Sequence, residues 1–341
     1  MGIENSSYLA ACRGTNRGPI PVWIMRQAGR YLPEYRAVRE KASFLELCKS
    51  PDLIAEVVRQ PVERFGLDAA ILFSDILIIL EPMGMQLSFP DGGPQLASPI
   101  STPDDVKRLM DFDVKAHLPF VAEGIKRIKG RLPHTPLLGF AGSPFTVACY
   151  LIQGKGSKTF DKAKLFIHKY PTAAEQLFEF LSDITARYLQ MQIDAGVDAV
   201  QLFDSWGGIL SQEDYRQYSA GPSNRIFARL KAAGVPRVLF VNNVAPYLDL
   251  VAGVDCEVIG VDYRVDLAQA VAALPGKAIQ GNLDPAVLFG SPASVRKETL
   301  RILDSLKSHD NLIFNLGHGI LPETPVESVE VVVDTVHNYR S

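Results

Sequence analysis

The stretch AVQLFDSWGGILSQED, residues 199–214, contains the unit from which we predict the fold. A short apolar run, residues 199–203, is followed by a polar, Gly-rich segment, and Ser211 then precedes two acidic residues and a further helical pattern. Serine followed by carboxylates is typical of a helix N-terminus, because the hydroxyl and the acidic groups satisfy the free amide groups there. We therefore interpret the stretch as a buried β-strand, a loop and the start of a helix.

The same unit recurs along the chain of 341 residues. Apolar runs alternate with helical patterns at residues 21–24, 69–73, 136–140, 199–203, 238–241, 258–261, 278–280 and 312–315. This alternation is typical of parallel strands that helices cover on both faces. Eight units predict an α/β protein in which residues 1–341 form a single (β/α)8 TIM barrel. A doubly wound sheet would normally use fewer strands and carry a phosphate fingerprint after the first, which the sequence lacks.

Proline marks four more predicted helix starts. It follows Ser or Thr at residues 50–51, 102–103, 291–292 and 324–325. A hydroxyl residue at the N-cap and proline at the first helical position are a favourable combination, because proline lacks the amide hydrogen that would be unpaired there. The Gly- and Pro-rich residues 89–99 predict an irregular excursion between the second and third units.

The composition limits the classes of function. The formal net charge is −3, and 47% of the residues are hydrophobic against 21% charged, as in a globular protein without a general attraction to nucleic acid or membranes. The four cysteines show no CxxC spacing, so neither a disulfide framework nor a zinc site is indicated. The sequence shows no secretory leader and no apolar run as long as a membrane span. We expect a cytoplasmic protein.

A basic segment follows the first predicted strand. The sequence MRQAGRYLPEYRAVR occupies residues 25–39, and residues 13–41 contain seven positive side chains against two negative ones. A guanidinium group matches a carboxylate or phosphate in a bidentate way. Arg26 and Arg30 are four residues apart, so a helical turn would place both on one face. We predict an anion-binding site here; a solvated basic surface is the alternative.

Other polar residues follow other predicted strands. Asp75 follows the second run, Tyr150 and Ser205 come after the third and fourth, and His318 lies between two glycines after the eighth. Because the C-terminal ends of barrel strands meet at one rim, we predict that these residues share one site. Each also has a structural interpretation, as a helix cap, a core aromatic or a satisfied donor. The loop at residues 154–158, GKGSK, is either a basic lid or a plain exposed loop.

Six segments resemble the uroporphyrinogen decarboxylase family. They are MRQAGRYLPEYR (residues 25–36), FSDIL (73–77), GSPFTVACYLIQGKGSK (142–158), QLFDSWGG (201–208), QGNLDP (280–285) and NLGHGILPETP (315–325). The first and last are highly specific to the family, and the middle ones partly recur in related barrel methyltransferases. The resemblance covers essentially the whole chain.

The resemblance implies a single (β/α)8 barrel that forms a homodimer and uses no metal and no organic cofactor. It implies an enzyme that converts the four acetate side chains of uroporphyrinogen III to methyl groups, giving coproporphyrinogen III in tetrapyrrole biosynthesis. By motif, it implies Asp75, Arg26 and Arg30 as catalytic residues. The implied substrate contacts are Arg26, Gln27, Ala28, Gly29, Arg30, Arg39, Asp75, Tyr150, Ser205 and His318. Asp204 receives no role.

The residue chemistry fits this expectation. An octacarboxylate substrate requires an arginine-rich receptor, and a buried carboxylate such as Asp75 stabilises a cationic pyrrole. Either Arg26 or Arg30 is a candidate to deliver the proton. Two alternatives stay open at this point. A zinc- and corrinoid-dependent methyltransferase would typically have a His-x-Cys site, but no histidine in the sequence has a cysteine two residues later. A non-catalytic tetrapyrrole carrier would need the arginines but not Asp75.

Overall fold

The structure, a computed structural model, describes residues 2–90, 93–306, 308 and 310–339. It is an α/β fold with a curled parallel sheet of seven strands and a separate antiparallel ribbon of two. The strands are β1 (Ala70–Ile71), β2 (Leu87–Ser88), β3 (Gln95–Leu96), β4 (Leu137–Gly142), β5 (Ala199–Asp204), β6 (Arg237–Val241), β7 (Val258–Val261), β8 (Ala278–Leu283) and β9 (Leu312–Leu316). The order in the sheet is β1-β4-β5-β6-β7-β8-β9, and β2 pairs with β3.

Helices of very different length separate the strands. They are α1 (Ser7–Cys12), α2 (Pro33–Arg39), α3 (Phe44–Lys49), α4 (Pro51–Phe65), α5 (Pro103–Val106), α6 (Val114–His117), α7 (Pro119–Arg131), α8 (Pro144–Gln153), α9 (Asp161–Lys169), α10 (Pro171–Ala195), α11 (Gln212–Tyr215), α12 (Gly221–Leu230), α13 (Leu248–Ala252), α14 (Leu267–Ala273), α15 (Pro292–Asp304) and α16 (Val326–His337). No helix of the described residues is both long enough and apolar enough to cross a membrane.

Seven of the eight predicted runs form strands of the sheet. The second run is shorter than predicted, because regular pairing with β4 is limited to Ala70 and Ile71. The first run, residues 21–24, does not form a regular strand; it makes one isolated parallel bridge, from Val22 to Phe314 of β9. Pro21 has no amide hydrogen to donate, which limits ladder formation in so short a run. The regular sheet therefore has one strand fewer than the predicted eight.

Most predicted helix starts are confirmed. Ser50, Thr102, Ser211 and Ser291 occupy the N-cap positions of α4, α5, α11 and α15. The prediction at residues 324–325 is wrong by one residue, because α16 begins at Val326 with Pro325 at its N-cap. Thr324 lies in the turn before this helix, where its amide donates to the Leu321 carbonyl.

The predicted irregular excursion, residues 89–99, is partly ordered by the ribbon. Strand β3 lies inside it, and residues 91 and 92 are outside the described residues. The Leu96 amide donates to the Gly154 carbonyl over 2.8 Å, and Gln95 forms an antiparallel bridge with Lys155. The ribbon therefore packs against the loop at residues 154–158.

A polar chain crosses the space enclosed by the curled sheet. The Trp23 indole donates to Gln280 Oε1 over 3.0 Å, and Gln280 Nε2 donates to Gln201 Oε1 over 3.0 Å. All three side chains are buried, with small and apolar side chains around them. Buried polar groups are stable only when they are paired, so this chain fixes the position of residue 23 relative to β8 and β5.

Asp68 attaches residues 21–24 to the opposite edge of the sheet. The Val22 amide donates to Asp68 Oδ2 over 2.8 Å, and the Asp68 amide donates to the Val22 carbonyl over 3.0 Å. The same carboxylate accepts a hydrogen bond from His337 Nε2 of α16, at 2.8 Å. This hydrogen bond raises the pKa of His337.

We predict that His337 stabilises the fold more at low pH than at high pH. A histidine whose pKa is higher in the folded state contributes fully below its unfolded pKa, near 6.5, and loses that contribution as the pH rises through the folded value. The difference in urea midpoint between the native protein and His337→Asn should therefore be larger at about pH 5.5 than at about pH 8.5. Replacement of exposed His134 by Asn serves as the control. Equal differences at both pH values would contradict this prediction.

Candidate active site

Asp75 lies in the loop after β1, at the C-terminal end of the sheet. Its Oδ1 accepts a hydrogen bond from the Leu77 amide over 2.8 Å. Removal from water raises the pKa of Asp75 to about 6, while the Leu77 amide and the Arg26 charge act in the opposite direction. Desolvation therefore outweighs the two favourable interactions, and the protein keeps the Asp75 carboxylate where its ionised form is costly.

Arg26, whose charge acts on Asp75, has an unusual backbone conformation. Residues 25–32 form turns and bends rather than the helical turn considered from the sequence, and Arg26 has a φ of 65°. A residue other than glycine rarely adopts this left-handed conformation. Gly319 makes room for the side chain: a Cβ at Gly319 would lie 2.5 Å from Arg26 Cδ. The exposed Arg26 guanidinium therefore lies beside the loop after β9.

His318 lies in that same loop and is half-buried. Burial lowers the pKa of His318, and the positive charges of Arg26 and Arg264 lower it further. The imidazole is therefore neutral at pH 7, where it offers one hydrogen-bond donor and one acceptor. The preceding Gly317 packs against the Tyr263 backbone, since a Cβ there would lie 2.3 Å from the Tyr263 nitrogen.

Tyr150 faces the same group of charges from the last turn of α8. Burial raises the pKa of its hydroxyl, and the charges of Asp75 and Arg26 both act on it. The Trp206 indole donates to this hydroxyl over 3.3 Å, and the ring of Phe160 packs edge-on against Tyr150. Tyr150 is thus held by aromatic neighbours from two further loops.

Asp204 organises the loop that carries Ser205. It is fully buried and accepts hydrogen bonds from Ser143 Oγ at 2.7 Å, Thr146 Oγ1 at 3.1 Å and the Gly207 amide at 3.0 Å, and also from the Ser219 hydroxyl. A carboxylate surrounded by donors in this way is structural. It fixes the partly exposed Ser205 at the C-terminal end of β5.

The Gln27 side chain is hydrogen-bonded within the protein. Gln27 is buried, its Nε2 donates to the Ala69 carbonyl over 3.2 Å, and its Oε1 accepts from the Ile24 amide. It therefore joins the first run to the start of β1. Ala28 and Gly29 are half-buried and form the turn between the two arginines.

Arg30 and Arg39 lie further along the same segment. Arg30 is exposed, and its carbonyl accepts a hydrogen bond from Arg36 over 2.8 Å. The Arg39 guanidinium donates to the Ala42 carbonyl at the end of α2. Both charges act on the hydroxyl of Tyr35, whose pKa burial raises to about 12. These two arginines are therefore grouped around Tyr35, whereas Arg26 is the arginine that acts on Asp75.

Arg264 belongs to the same rim but was not singled out from the sequence. It follows β7, and its Nη1 donates to Asp262 over 2.9 Å and to Asn242 Oδ1 over 3.3 Å. Its charge is one of the two that lower the pKa of His318. The available signal was its place, two residues after Asp262, the polar residue that follows the sixth predicted run.

The described residues contain no group of three His, Cys, Asp or Glu side chains that could hold a metal ion. The four cysteines are all buried and free.

We predict that Gly317→Ala destabilises the protein. The added methyl would collide with the Tyr263 backbone rather than with a flexible side chain, so the loops after β7 and β9 would have to move apart. We expect a loss of about 1–3 kcal/mol in the free energy of unfolding, as for other overpacked sites. Urea denaturation measures it, with Gly156→Ala as the control because a Cβ there meets no atom within 4 Å. Equal midpoints for the two variants would show that the loops are not in close contact.

Solved structures similar to this chain show its fold. A methyltransferase from Methanosarcina mazei matches with a TM-score of 0.79 at 20% identity, covering 98% of each chain. A B12-independent methionine synthase from Shewanella sp. W3-18-1 matches with a TM-score of 0.58 at 12% identity, covering 94% of this chain and 96% of the other. Identities this low relate the folds and say nothing about the reaction.

Curated relatives are much more similar in sequence. A uroporphyrinogen decarboxylase of Syntrophotalea carbinolica is 46% identical over 339 residues, which is 99% of this chain and 98% of the relative. One of Geobacter sp. (strain M21) is 45% identical over 334 residues, 98% of each chain. The family model described as uroporphyrinogen decarboxylase (URO-D) matches residues 3–339. The chain therefore belongs to the uroporphyrinogen decarboxylase family.

Proposed function

We propose that this protein decarboxylates the four acetate side chains of uroporphyrinogen III to methyl groups, giving coproporphyrinogen III. The observation that carries the proposal is the arrangement around Asp75. A carboxylate with a pKa raised to about 6 lies within electrostatic reach of Arg26 and Tyr150, and Arg26 also acts on His318. Membership of a family whose curated relatives have this name supports the same reaction.

The proposed receptor for the substrate is the basic segment after residue 24. The substrate carries eight carboxylates, and guanidinium groups are the side chains best suited to hold them. Arg26, Arg30 and Arg39 supply such groups, together with the turn formed by residues 27–29. Tyr150, Ser205 and neutral His318 complete the proposed contacts as hydrogen-bond partners.

Asp75 supplies the proposed electrostatic catalysis. Protonation of a pyrrole carbon makes the ring cationic, and the electron pair of the bond to CO₂ then flows into the ring as CO₂ leaves. Protonation of the resulting methylene carbon gives the methyl group, and loss of the first proton restores the pyrrole. A desolvated carboxylate that accepts hydrogen bonds from the pyrrole N–H groups stabilises this cation more than water does.

For delivery of the proton we favour Arg26 over Arg30. Both are candidates from the sequence, but the charge of Arg26 acts on Asp75, Tyr150 and His318, whereas that of Arg30 acts on Tyr35. Arg26 is therefore closer to a pyrrole ring centred on Asp75. A guanidinium is a weak acid, so its proton transfer would have to be coupled to the loss of CO₂.

The proposal includes a closed (β/α)8 barrel formed by residues 1–341 as one domain. Residues 21–24 pair with β9 through the bridge between Val22 and Phe314. They also bond to Asp68, the residue before the second run. This supports their place as the eighth strand between β9 and β1. On the family resemblance we also propose a homodimer, and the free cysteines support a cytoplasmic location.

An anaerobic assay tests the function. Purified protein is incubated with uroporphyrinogen III, and the products are oxidised and separated by their porphyrin fluorescence. We expect coproporphyrin, with porphyrins of intermediate carboxyl number at early times. Recovery of unchanged uroporphyrin would contradict the proposal, and binding without conversion would indicate a carrier.

We predict that Asp75→Asn lowers turnover on the order of 10²-fold or more, as for other lost electrostatic stabilisers. The amide can still accept the Leu77 hydrogen bond, and it carries no charge that burial would destabilise. The thermal midpoint of the variant should therefore equal or exceed that of the native protein. Asp113→Asn is the matched control, because Asp113 accepts a similar hydrogen bond from the amide two residues later, at 2.9 Å. Near-normal turnover of Asp75→Asn would refute the role.

We also predict an acid limb in the pH profile of kcat/KM. The ionised form of Asp75 is the active one, and its pKa is raised, so activity should fall as the pH drops through about 6. The residual activity of Asp75→Asn should lack this inflection. The same inflection in both proteins would assign it to the substrate or to another group.

A further inference from the structure

Arg264 is the only arginine or lysine in the loops that follow β4 to β9. Up to the next helix, these loops comprise Ser143 and residues 205–211, 242–247, 262–266, 284–291 and 317–325, all of which the structure describes. The arginines of the proposed receptor, in contrast, all precede β1 in the chain. A cleft with cations on that side alone would leave part of a polyanionic ring without a counter-charge.

The Arg264 guanidinium is held in place by its neighbours. Fully buried Asp262 accepts from Arg264 Nη1 at 2.9 Å and from the Arg264 amide at 3.3 Å through one oxygen, and from the Val244 amide at 3.0 Å through the other. The guanidinium carbon lies 4.3 Å from the centre of the Tyr263 ring. An arginine fixed by an ion pair and an aromatic ring loses less entropy when it binds a ligand.

The position of Arg264 connects it to two residues of the proposed site. Nη1 also donates to Asn242, whose Nδ2 donates to the Ser205 carbonyl over 3.3 Å. On the other side, the Tyr263 backbone packs against Gly317, next to His318, and the charge of Arg264 acts on that imidazole. Arg264 therefore lies between Ser205 and His318 on the rim.

One edge of this guanidinium is unused. Nη1 makes both side-chain hydrogen bonds, while Nε and Nη2 have no partner among the residues that the structure describes. The side chain is 46% exposed, so this edge is accessible. The Nε–Nη2 edge is a pair of parallel donors that matches a carboxylate in a bidentate way.

We propose that Arg264 is a further substrate-binding residue, whose Nε–Nη2 edge holds one carboxylate of the tetrapyrrole on the β7 side of the cleft. The inference rests on the proposed function for the identity of the ligand. Asp262 and Tyr263 act as positioning residues, because they orient the guanidinium without touching the substrate. The arginines of the basic segment bind the remaining carboxylates.

The test compares Arg264→Met and Arg264→Lys with Arg296→Met, which removes the same charge from an exposed position on α15. A carboxylate contact that persists from ground state to transition state contributes to KM more than to kcat. For Arg264→Met we expect KM to rise about tenfold with kcat within about twofold, as for loss of one charge-assisted contact. Arg264→Lys keeps the charge but not the fork, and should fall between. The control should match the native protein.

Binding of oxidised uroporphyrin, followed by fluorescence, separates this inference from the proposed function. We expect its Kd to rise about tenfold in Arg264→Met, whether or not the protein is catalytic. If the native protein binds uroporphyrin through Arg264 but does not turn over, the proposed function fails and the inference stands. Two results would overturn the inference. One is an unchanged KM and Kd in Arg264→Met, and the other is a fall in kcat and thermal midpoint with an unchanged KM. Either would show that Arg264 is only a partner for Asp262.

Discussion

Removal of the Asp75 carboxylate from water is the constraint on which the proposed site depends. Desolvation raises its pKa more than the Leu77 amide and the Arg26 charge together lower it. The Arg26 charge opposes this rise, and Arg26 has a left-handed backbone and a neighbouring glycine, Gly319, that leaves space for its side chain. Both features cost stability or restrict the sequence, as is common where function rather than folding selects the residue.

The repetition of apolar runs and helix starts was sufficient to predict most of the sheet. Runs such as residues 258–261 became strands with the predicted limits, because burial on both faces leaves a continuous apolar signal in the sequence. Residues 21–24 carry the same signal but form only a bridge, since their hydrogen bonds go to Asp68 and β9 and Pro21 cannot donate. The number of ladder hydrogen bonds depends on partners that are distant in sequence, and the pattern within a short run carries no information about those partners.

The sequence placed the polar residues at strand ends but could not give the directions of their side chains. The charge of Arg26 acts on Asp75, Tyr150 and His318. Gln27, three residues after the first run, is instead turned inward to the Ala69 carbonyl. The spacing of Arg26 and Arg30 suggested a shared helical face, whereas the segment forms turns and the two charges act on different groups. Side-chain direction there follows from backbone turns that spacing rules do not describe.

The central claim is that a single tetrapyrrole lies over Asp75 with its carboxylates held by the surrounding guanidinium groups. The most direct measurement is a crystal structure of the protein with coproporphyrinogen bound under anaerobic conditions. We predict pyrrole N–H groups within hydrogen-bond distance of the Asp75 carboxylate and carboxylates of the ligand at Arg26. A macrocycle bound elsewhere, with Asp75 in contact only with Leu77 and water, would contradict it.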